Sequence, residues 1–372
     1  MKIGGYLAFP KRRHLAVALA GFSVFSATVT SGFAEGATDV LPITGQPRNQ
    51  VVATIPVGAN PSGVVVSTDS GLVYVANSES QSVCAIYAAT NTVATTISSV
   101  GYRPITLAIT PDARTLYVGN ASPIGDLIVS VVDTPTNTVI TTLDLGSLGM
   151  AWVGSQIAVS PDGKKVYVAT GYPGKGVVVI DTATNLVSGT IKINVGRVWG
   201  APAPSGVVFS SSGRFAYVTS TGNRSSGQNR CFVSKIDTAS ERQTHATGPL
   251  PNTDLSGEVS IHGHLLYMAS FTVTDVMVFD TTSNMVVKRV PVGDYLGSEA
   301  LTPDGKYLYV TYSTNSPSDK VATFNTATGA LVGSPIQAGQ GASGVAVAPN
   351  GLNAYVTNAI DGTVSVIDIS TQ

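Results

Sequence analysis

The sequence predicts an all-β protein: a seven-bladed β-propeller of four-stranded antiparallel blades, its ring closed by an N-terminal strand that completes the last blade. Three observations predict it. One tyrosine phrase recurs seven times, each copy carries the same turn and strand-end landmarks, and the composition is that of short strands joined by tight turns.

The phrase is anchored by Tyr74 (YVAN), Tyr117 (YVGN), Tyr167 (YVAT), Tyr217 (YVTS), Tyr267 (YMAS), Tyr309 (YVTY) and Tyr355 (YVTN), at spacings of 43, 50, 50, 50, 42 and 46 residues. Periods of that size with four short strand patterns in each belong to propeller blades, not to helical solenoids. Turns such as Pro161-Asp162-Gly163 and Pro303-Asp304-Gly305 precede the tyrosines. Proline presets φ, aspartate caps the turn and glycine accepts positive φ, so each phrase makes a tight hairpin of expected constant length. Beyond each tyrosine a second landmark ends the third strand: Asp133, Asp181, Asp237, Asp280, Asn325 and Asp368, with Tyr87 in that place in the first repeat. Charged residues are 12% of the chain and glycines number 39, which suits strands and turns and leaves little for exposed helices.

Residues 1–34 read as an export signal. Lys11, Arg12 and Arg13 precede an uncharged, largely apolar run from Leu15 to Val29, and Gly32 and Ala34 take the −3 and −1 positions of a cleavage site. A run of 15 residues is short of the roughly 20 that cross a bilayer. The expected mature protein therefore has no stable membrane span and is periplasmic or secreted. Residues 35–49 form a short linker and residues 50–372 the propeller. Without the signal, 17 basic residues face 22 acidic ones, a net charge near −5. No basic run remains to follow a phosphate backbone, so nucleic acid is not an expected partner.

The phrases PDGK-(V/L)YVT(N), V-V(I/F)DT-T(N) and V-VG resemble the YVTN-type β-propeller repeat across residues 50–372. The resemblance implies the fold. For function it leaves surface modules, binding proteins, lactonase-like enzymes and dehydrogenase subunits alike. The stretch Gln50–Gly58 matches the fourth-strand pattern of other repeats, while the last repeat stops after its third strand at Val364–Ile369. The N-terminal strand is thus expected to close the ring and remove an exposed sheet edge.

Two features that could carry chemistry are assigned structural roles. Cys84 and Cys231 fall on third strands of blades almost opposite one another, too far apart for a disulfide, and are expected as buried thiols. His262 and His264 fall in the turn between the first two strands of blade 5, away from the expected site, and with only His245 besides them no zinc-type site assembles. No metal and no cofactor are expected.

The remaining signal is unevenness. From tyrosine to landmark the counts are 13, 16, 14, 20, 13, 16 and 13 residues, the longest carrying a polar loop at Thr221–Arg230 in blade 4. From landmark to the next tyrosine they are 30, 34, 36, 30, 29 and 30, the long ones being Leu145–Gln156 and Val195–Gly206. All three insertions rise from one face, and loops on a rigid scaffold carry function. Trp152 and Trp199 sit in the two long connections, as ligand anchors or as lids over the blades beneath. Arg197, beside Trp199 in the second long connection, and Arg103 and Tyr295 elsewhere complete the candidate ligand-facing set.

On the innermost strands, nine residues before each tyrosine, the blades read Val65, Ala108, Ala158, Val208, Glu258, Ala300 and Ala346, and one position earlier Glu299 stands in blade 6. Two carboxylates at the mouth of a central channel either bind amides and water there or act as acid and base. Two functions follow: an exported monomer binding a small molecule or protein partner on the long-loop face, or a cofactor-independent hydrolase, lyase or isomerase of lactonase-like kind using Glu258 and Glu299.

Overall fold

The computed structural model describes residues 45–371 except 125, 147–155, 172, 174, 197–200, 224–228, 251–258, 270–273 and 314–318. Twenty-eight strands arrange as seven four-stranded antiparallel sheets, and the described residues contain no helix long and apolar enough to cross a membrane. The signal segment and the cleavage site lie outside the described residues.

The chain begins with β1 (Gln50–Pro56) and then builds six blades in order. Blade 1 is β2 (Pro61–Val66), β3 (Leu72–Asn77), β4 (Ser82–Tyr87) and β5 (Thr92–Ser98). Blade 2 is β6 (Pro104–Ile109), β7 (Thr115–Ala121), β8 (Leu127–Asp133) and β9 (Thr138–Asp144). Blade 3 is β10 (Ile157–Val159), β11 (Lys165–Ala169), β12 (Val177–Asp181) and β13 (Leu186–Ile191). Blade 4 is β14 (Ala203–Phe209), β15 (Phe215–Asn223), β16 (Asn229–Asp237) and β17 (Arg242–Ala246). Blade 5 is β18 (Val259–His262), β19 (Leu265–Met268), β20 (Asp275–Asp280) and β21 (Met285–Pro291). Blade 6 is β22 (Asp294–Leu301), β23 (Tyr307–Ser313), β24 (Lys320–Asn325) and a two-residue β25 (Ile336–Gln337). Blade 7 is β26 (Ala342–Val347), β27 (Asn353–Asn358) and β28 (Thr363–Asp368), with β1 as its outer strand.

The predicted closure is therefore present. β1 pairs with β28 from Gln50 opposite Asp368 to Pro56 opposite Thr363, so first and last segments of the chain share one sheet. Arg48 adds an exposed ion pair to Asp368 at 3.2 Å, worth little by itself in water.

The core is a set of seven apolar layers between neighbouring blades. Residues alternate along each inner strand, so successive side chains face opposite neighbours. Leu107, Ile157, Val207, Val259 and Val345 pack towards the preceding blade, and the next residue in each of five blades (Val65, Ala108, Ala158, Val208, Ala300) packs towards the following one. All seven anchor tyrosines are buried. Two of their hydroxyls bond to the next blade. Tyr117 donates to Asn185 Oδ1 at 2.7 Å, and Tyr309 donates to Asn49 Oδ1 at 2.8 Å. Burial pushes the Tyr117 phenol up to about 12.

Both asparagines occupy the left-handed region, with φ of 53° and 55°, as do Asn91, Asn137 and Asn284 at the equivalent turns. Asparagine tolerates that conformation better than most residues with a side chain, which is why the landmark phrase ends in it. Asn49 thus starts the closing strand with the same clasp that Asn185 gives blade 3.

Two expectations change. The turn between first and second strands is not constant in length. In blade 5, His262 pairs directly with Leu265, leaving only Gly263 and His264 in the turn, and Gly263 has φ of 60°. A two-residue turn needs positive φ, which glycine supplies, so this hairpin is two residues shorter than its neighbours. Both histidines do lie at this turn. His262 also takes the packing role of a proline: Pro111 lies against Gly163, Pro161 against Gly213 and Pro303 against Gly351, while the His262 ring lies against Gly305. The second change is in blade 4. The segment expected as a loop at Thr221–Arg230 is partly strand, with Thr221, Gly222 and Asn223 paired to Cys231, Arg230 and Asn229. The insertion extends a hairpin and leaves a short tip, residues 224–228, outside the described residues.

Cys84 lies in β4 and Cys231 in β16; both are buried and neither is in a disulfide, as expected.

Candidate functional site

Hairpin turns between first and second strands, and between third and fourth, make one face of the disc; inter-blade connections and the turns between second and third strands make the other. The first face is regular. In blades 1, 2, 3 and 6 a hydroxyl donates to the turn aspartate: Ser67 to Asp69, Thr110 to Asp112, Ser160 to Asp162 and Thr302 to Asp304. The same aspartates accept backbone N–H groups of Gly71, Arg114, Lys164 and Lys306. The hydroxyl bond, followed by the backbone bond, holds the carboxyls of Asp69, Asp112 and Asp162 below the ordinary value of 3.8. This face is a set of self-satisfied turns.

The second face is uneven, and the asparagine of YV-N contributes to it in three blades. Asn77 Oδ1 accepts from Gly58 N–H at 3.1 Å and Asn358 Oδ1 from Gly339 N–H at 3.1 Å. Asn120 packs against Gly101, where an added Cβ would sit 2.9 Å from its side chain. In blades 1, 2 and 7 the asparagine therefore pins the incoming connection to the blade it enters. Blade 3 carries Thr170 at that position, which instead donates to Gly176 O at 2.8 Å within its own blade, and blade 4 carries Ser220. Blades 3 and 4 are the two entered by the long connections. Blades 5 and 6 carry Ser270 and Tyr312 there although their connections are short, so the asparagine marks blades 1, 2 and 7 and does not by itself track connection length.

Of the candidate residues, Arg103 is fully described. It is exposed, with φ of 47°, between Tyr102 and Pro104. The equivalent positions are Asn60 (φ 53°) and Gly341 (φ 76°), residue types suited to the left-handed region. Arginine there stores backbone strain that its siblings avoid. Trp152, Arg197, Trp199 and Glu258 lie outside the described residues, as do most of the two long connections. Tyr295 lies in β22, with only its backbone described.

Glu299 is 5% exposed and pairs with Val310. The equivalent residues are Val64, Leu107, Ile157, Val207, Val259 and Val345, which face the preceding blade. The carboxylate expected in a funnel thus stands at an inter-blade register. The shortened hairpin also moves the blade 5 alignment. The residue opposite Tyr267 is Ser260, not Glu258, and the counterpart of Glu299 is Val259. Glu258, read from the sequence one position after the level of Glu299, thus immediately precedes that counterpart instead.

A residue not singled out in the sequence does reach the channel. Gln156 of blade 3 spans to blades 4 and 5, with Oε1 accepting from Val207 N–H at 2.9 Å and Val259 N–H at 3.4 Å, and Nε2 donating to Val259 C=O at 3.3 Å. The one signal available was a long polar side chain where Gly63, Gly206 and Gly344 stand in other blades. Among the described residues no group of three or more histidine, cysteine, aspartate or glutamate side chains could hold a metal ion.

No family model matches the chain. It is 32% identical over 153 residues to a seven-bladed β-propeller protein of Mycobacterium tuberculosis, the match covering 40% of this chain and 37% of that protein. It is 31% identical over 137 residues to an antigen, Lp49, of Leptospira interrogans, covering 36% of this chain and 27% of the relative. The matched stretch thus spans well under half of either relative. Among solved structures it is similar to Kuenenia stuttgartiensis hydrazine synthase, with a TM-score of 0.69 at 23% identity over 92% of this chain and 100% of that one. A β-propeller domain of Cps50 (Swd1) from Myceliophteria thermophila gives 0.65 at 10% identity over 87% of this chain. At such identities the structural likeness carries the fold alone: the chain is a seven-bladed β-propeller, with one relative that is named as such.

Proposed function

We propose that this chain is an exported, YVTN-type β-propeller that binds a small molecule or a protein partner on the face bearing the connections into blades 3 and 4. One observation carries the reading. In blades 1 and 7 an asparagine bonds a short connection to the blade it enters, Asn77 to Gly58 and Asn358 to Gly339. The two long connections enter blades 3 and 4, which carry Thr170 and Ser220 at that position instead, and they bring both tryptophans to this face. Scaffold and presented loops are thereby separated, as in other rigid folds whose binding residues sit on loops. Arg103, kept at a strained position on this face, adds a cation suited to a carboxylate or phosphate. Export rests on the charged, apolar and small-residue order of residues 11–34.

The chain has two tryptophans, Trp152 and Trp199, one in each long connection, so its indole emission reports on this face alone. Screening small molecules and extracellular peptides by tryptophan emission, with calorimetry on the hits, tests the reading. Ligands that bind by calorimetry should also shift the emission, and Trp152→Phe or Trp199→Phe should weaken them by about tenfold or more. Ligands that bind with unchanged emission and unchanged affinity in both variants would place the site elsewhere.

A further inference from the structure

The innermost strand of each blade has no partner on its channel side, so alternate N–H and C=O groups point into the channel. Val207 and Val259 stand at the same register in blades 4 and 5, opposite Val218 and Met268. Their N–H groups converge on one point, occupied by Gln156 Oε1, while the carbonyl of Val259 lies beside it and accepts from Nε2. The backbone of Gln156 is itself fixed: its N–H donates to Ser205 O at 2.9 Å and its C=O accepts from Ala169 N–H at 3.0 Å. The side chain is only half-buried, so water and solutes reach it.

Two donors and one acceptor in this arrangement match a planar carboxamide. A carboxylate fits poorly, because its second oxygen would face the Val259 carbonyl with no proton between them. We infer that the channel mouth between blades 3 and 5 is a carboxamide-reading site, filled here by Gln156 and open to the primary carboxamide of a ligand when that side chain swings aside. Gln156 acts as an internal competitor: the backbone site is rigid, and only the glutamine has to move. Naming the ligand's group deepens the proposed binding role of this face and rests on it.

Deleting the side-chain amide and supplying it in solution tests the inference without the native ligand. Gln156→Ala removes the part of the side chain that acetamide replaces. The variant should melt about 2–6 °C lower. Acetamide should raise its midpoint saturably while leaving wild type unmoved, and acetate should do neither. Equal effects of acetamide on both proteins, equal effects of acetate and acetamide, or no effect of either would overturn the inference. If Gln156→Ala does not fold, Gln156→Gly, the residue that blades 1, 4 and 7 carry there, is titrated instead and the Val207 and Val259 amide resonances followed. Saturable shifts with acetamide alone support the site; shifts with both probes or neither refute it. The emission screen is independent of these outcomes, so a face that binds ligands without reading carboxamides is distinguishable from a face that binds none.

Discussion

The hydroxyl clasp between neighbouring blades gives a test with a worked magnitude. Tyr117 is fully buried and its hydroxyl donates to Asn185 Oδ1 at 2.7 Å, from β7 of blade 2 to the turn before β13 of blade 3. Tyr117→Phe removes a neutral hydrogen bond and leaves the ring in place, so it should cost about 1 kcal/mol. Asn185→Ala strands the buried hydroxyl and puts alanine at φ of 53°, for about 2–4 kcal/mol in all. In the double variant no hydroxyl remains to be stranded, so the two costs should not add. Equilibrium unfolding in guanidinium chloride would give the three values, and the expected coupling is about 1 kcal/mol. Additivity within about 0.3 kcal/mol would refute the clasp as an energetic link between blades.

Three further outcomes follow from the same structure. Removing residues 45–56 strips β1 from β28 and the hydroxyl partners Gly45 and Asn49 from Tyr307 and Tyr309, so light scattering should show unfolding or concentration-dependent oligomers; a monomer with an unchanged melting midpoint would contradict the closure. The turn carboxyls of Asp69, Asp112 and Asp162 are held below 3.8 when folded, so their stabilisation is present above the unfolded value and lost as pH falls through the folded one. The melting midpoint should be level from pH 7 to 5 and fall below about pH 4, whereas a fall already complete at pH 5 would point to other groups. Arg103→Asn places at φ of 47° the residue type that Asn60 already supplies, and should raise the midpoint by about 1–2 °C while weakening ligand binding; a lower midpoint would remove the strain argument.

The ring was legible because its signals are local and repeated. Tyrosine recurs in every blade and the landmark aspartate in most, and the closing strand Gln50–Pro56 carries the same pattern as the fourth strands it imitates. What a fixed spacing hid was the two-residue turn at Gly263-His264, which slid the blade 5 alignment by two residues and put Glu258 opposite Tyr267 in place of Ser260. The glycine between the histidines was the readable sign. Which way an inner-strand side chain faces was also hidden, because both registers are mostly apolar in sequence and differ only in which blade they meet. Glu299 was read as channel-facing for that reason. Gln156 had only a weak local signal, a long polar side chain where three blades have glycine, since its partner Val259 is 103 residues away and belongs to a blade that is not adjacent. The asparagine of YV-N was visible as a recurrence, but its work of pinning the incoming connection needed the contacts to Gly58 and Gly339.

The central claim is that binding belongs to the face bearing the long connections and not to the regular turns opposite. Amide hydrogen exchange, with and without a ligand selected by tryptophan emission, tests it most directly. Protection is expected in peptides covering residues 145–156, 195–206 and the blade 4 hairpin from Thr221 to Arg230, with the turns at Asp112, Asp162 and Asp304 unchanged. Protection of those turns, with the long connections unaffected, would contradict the account.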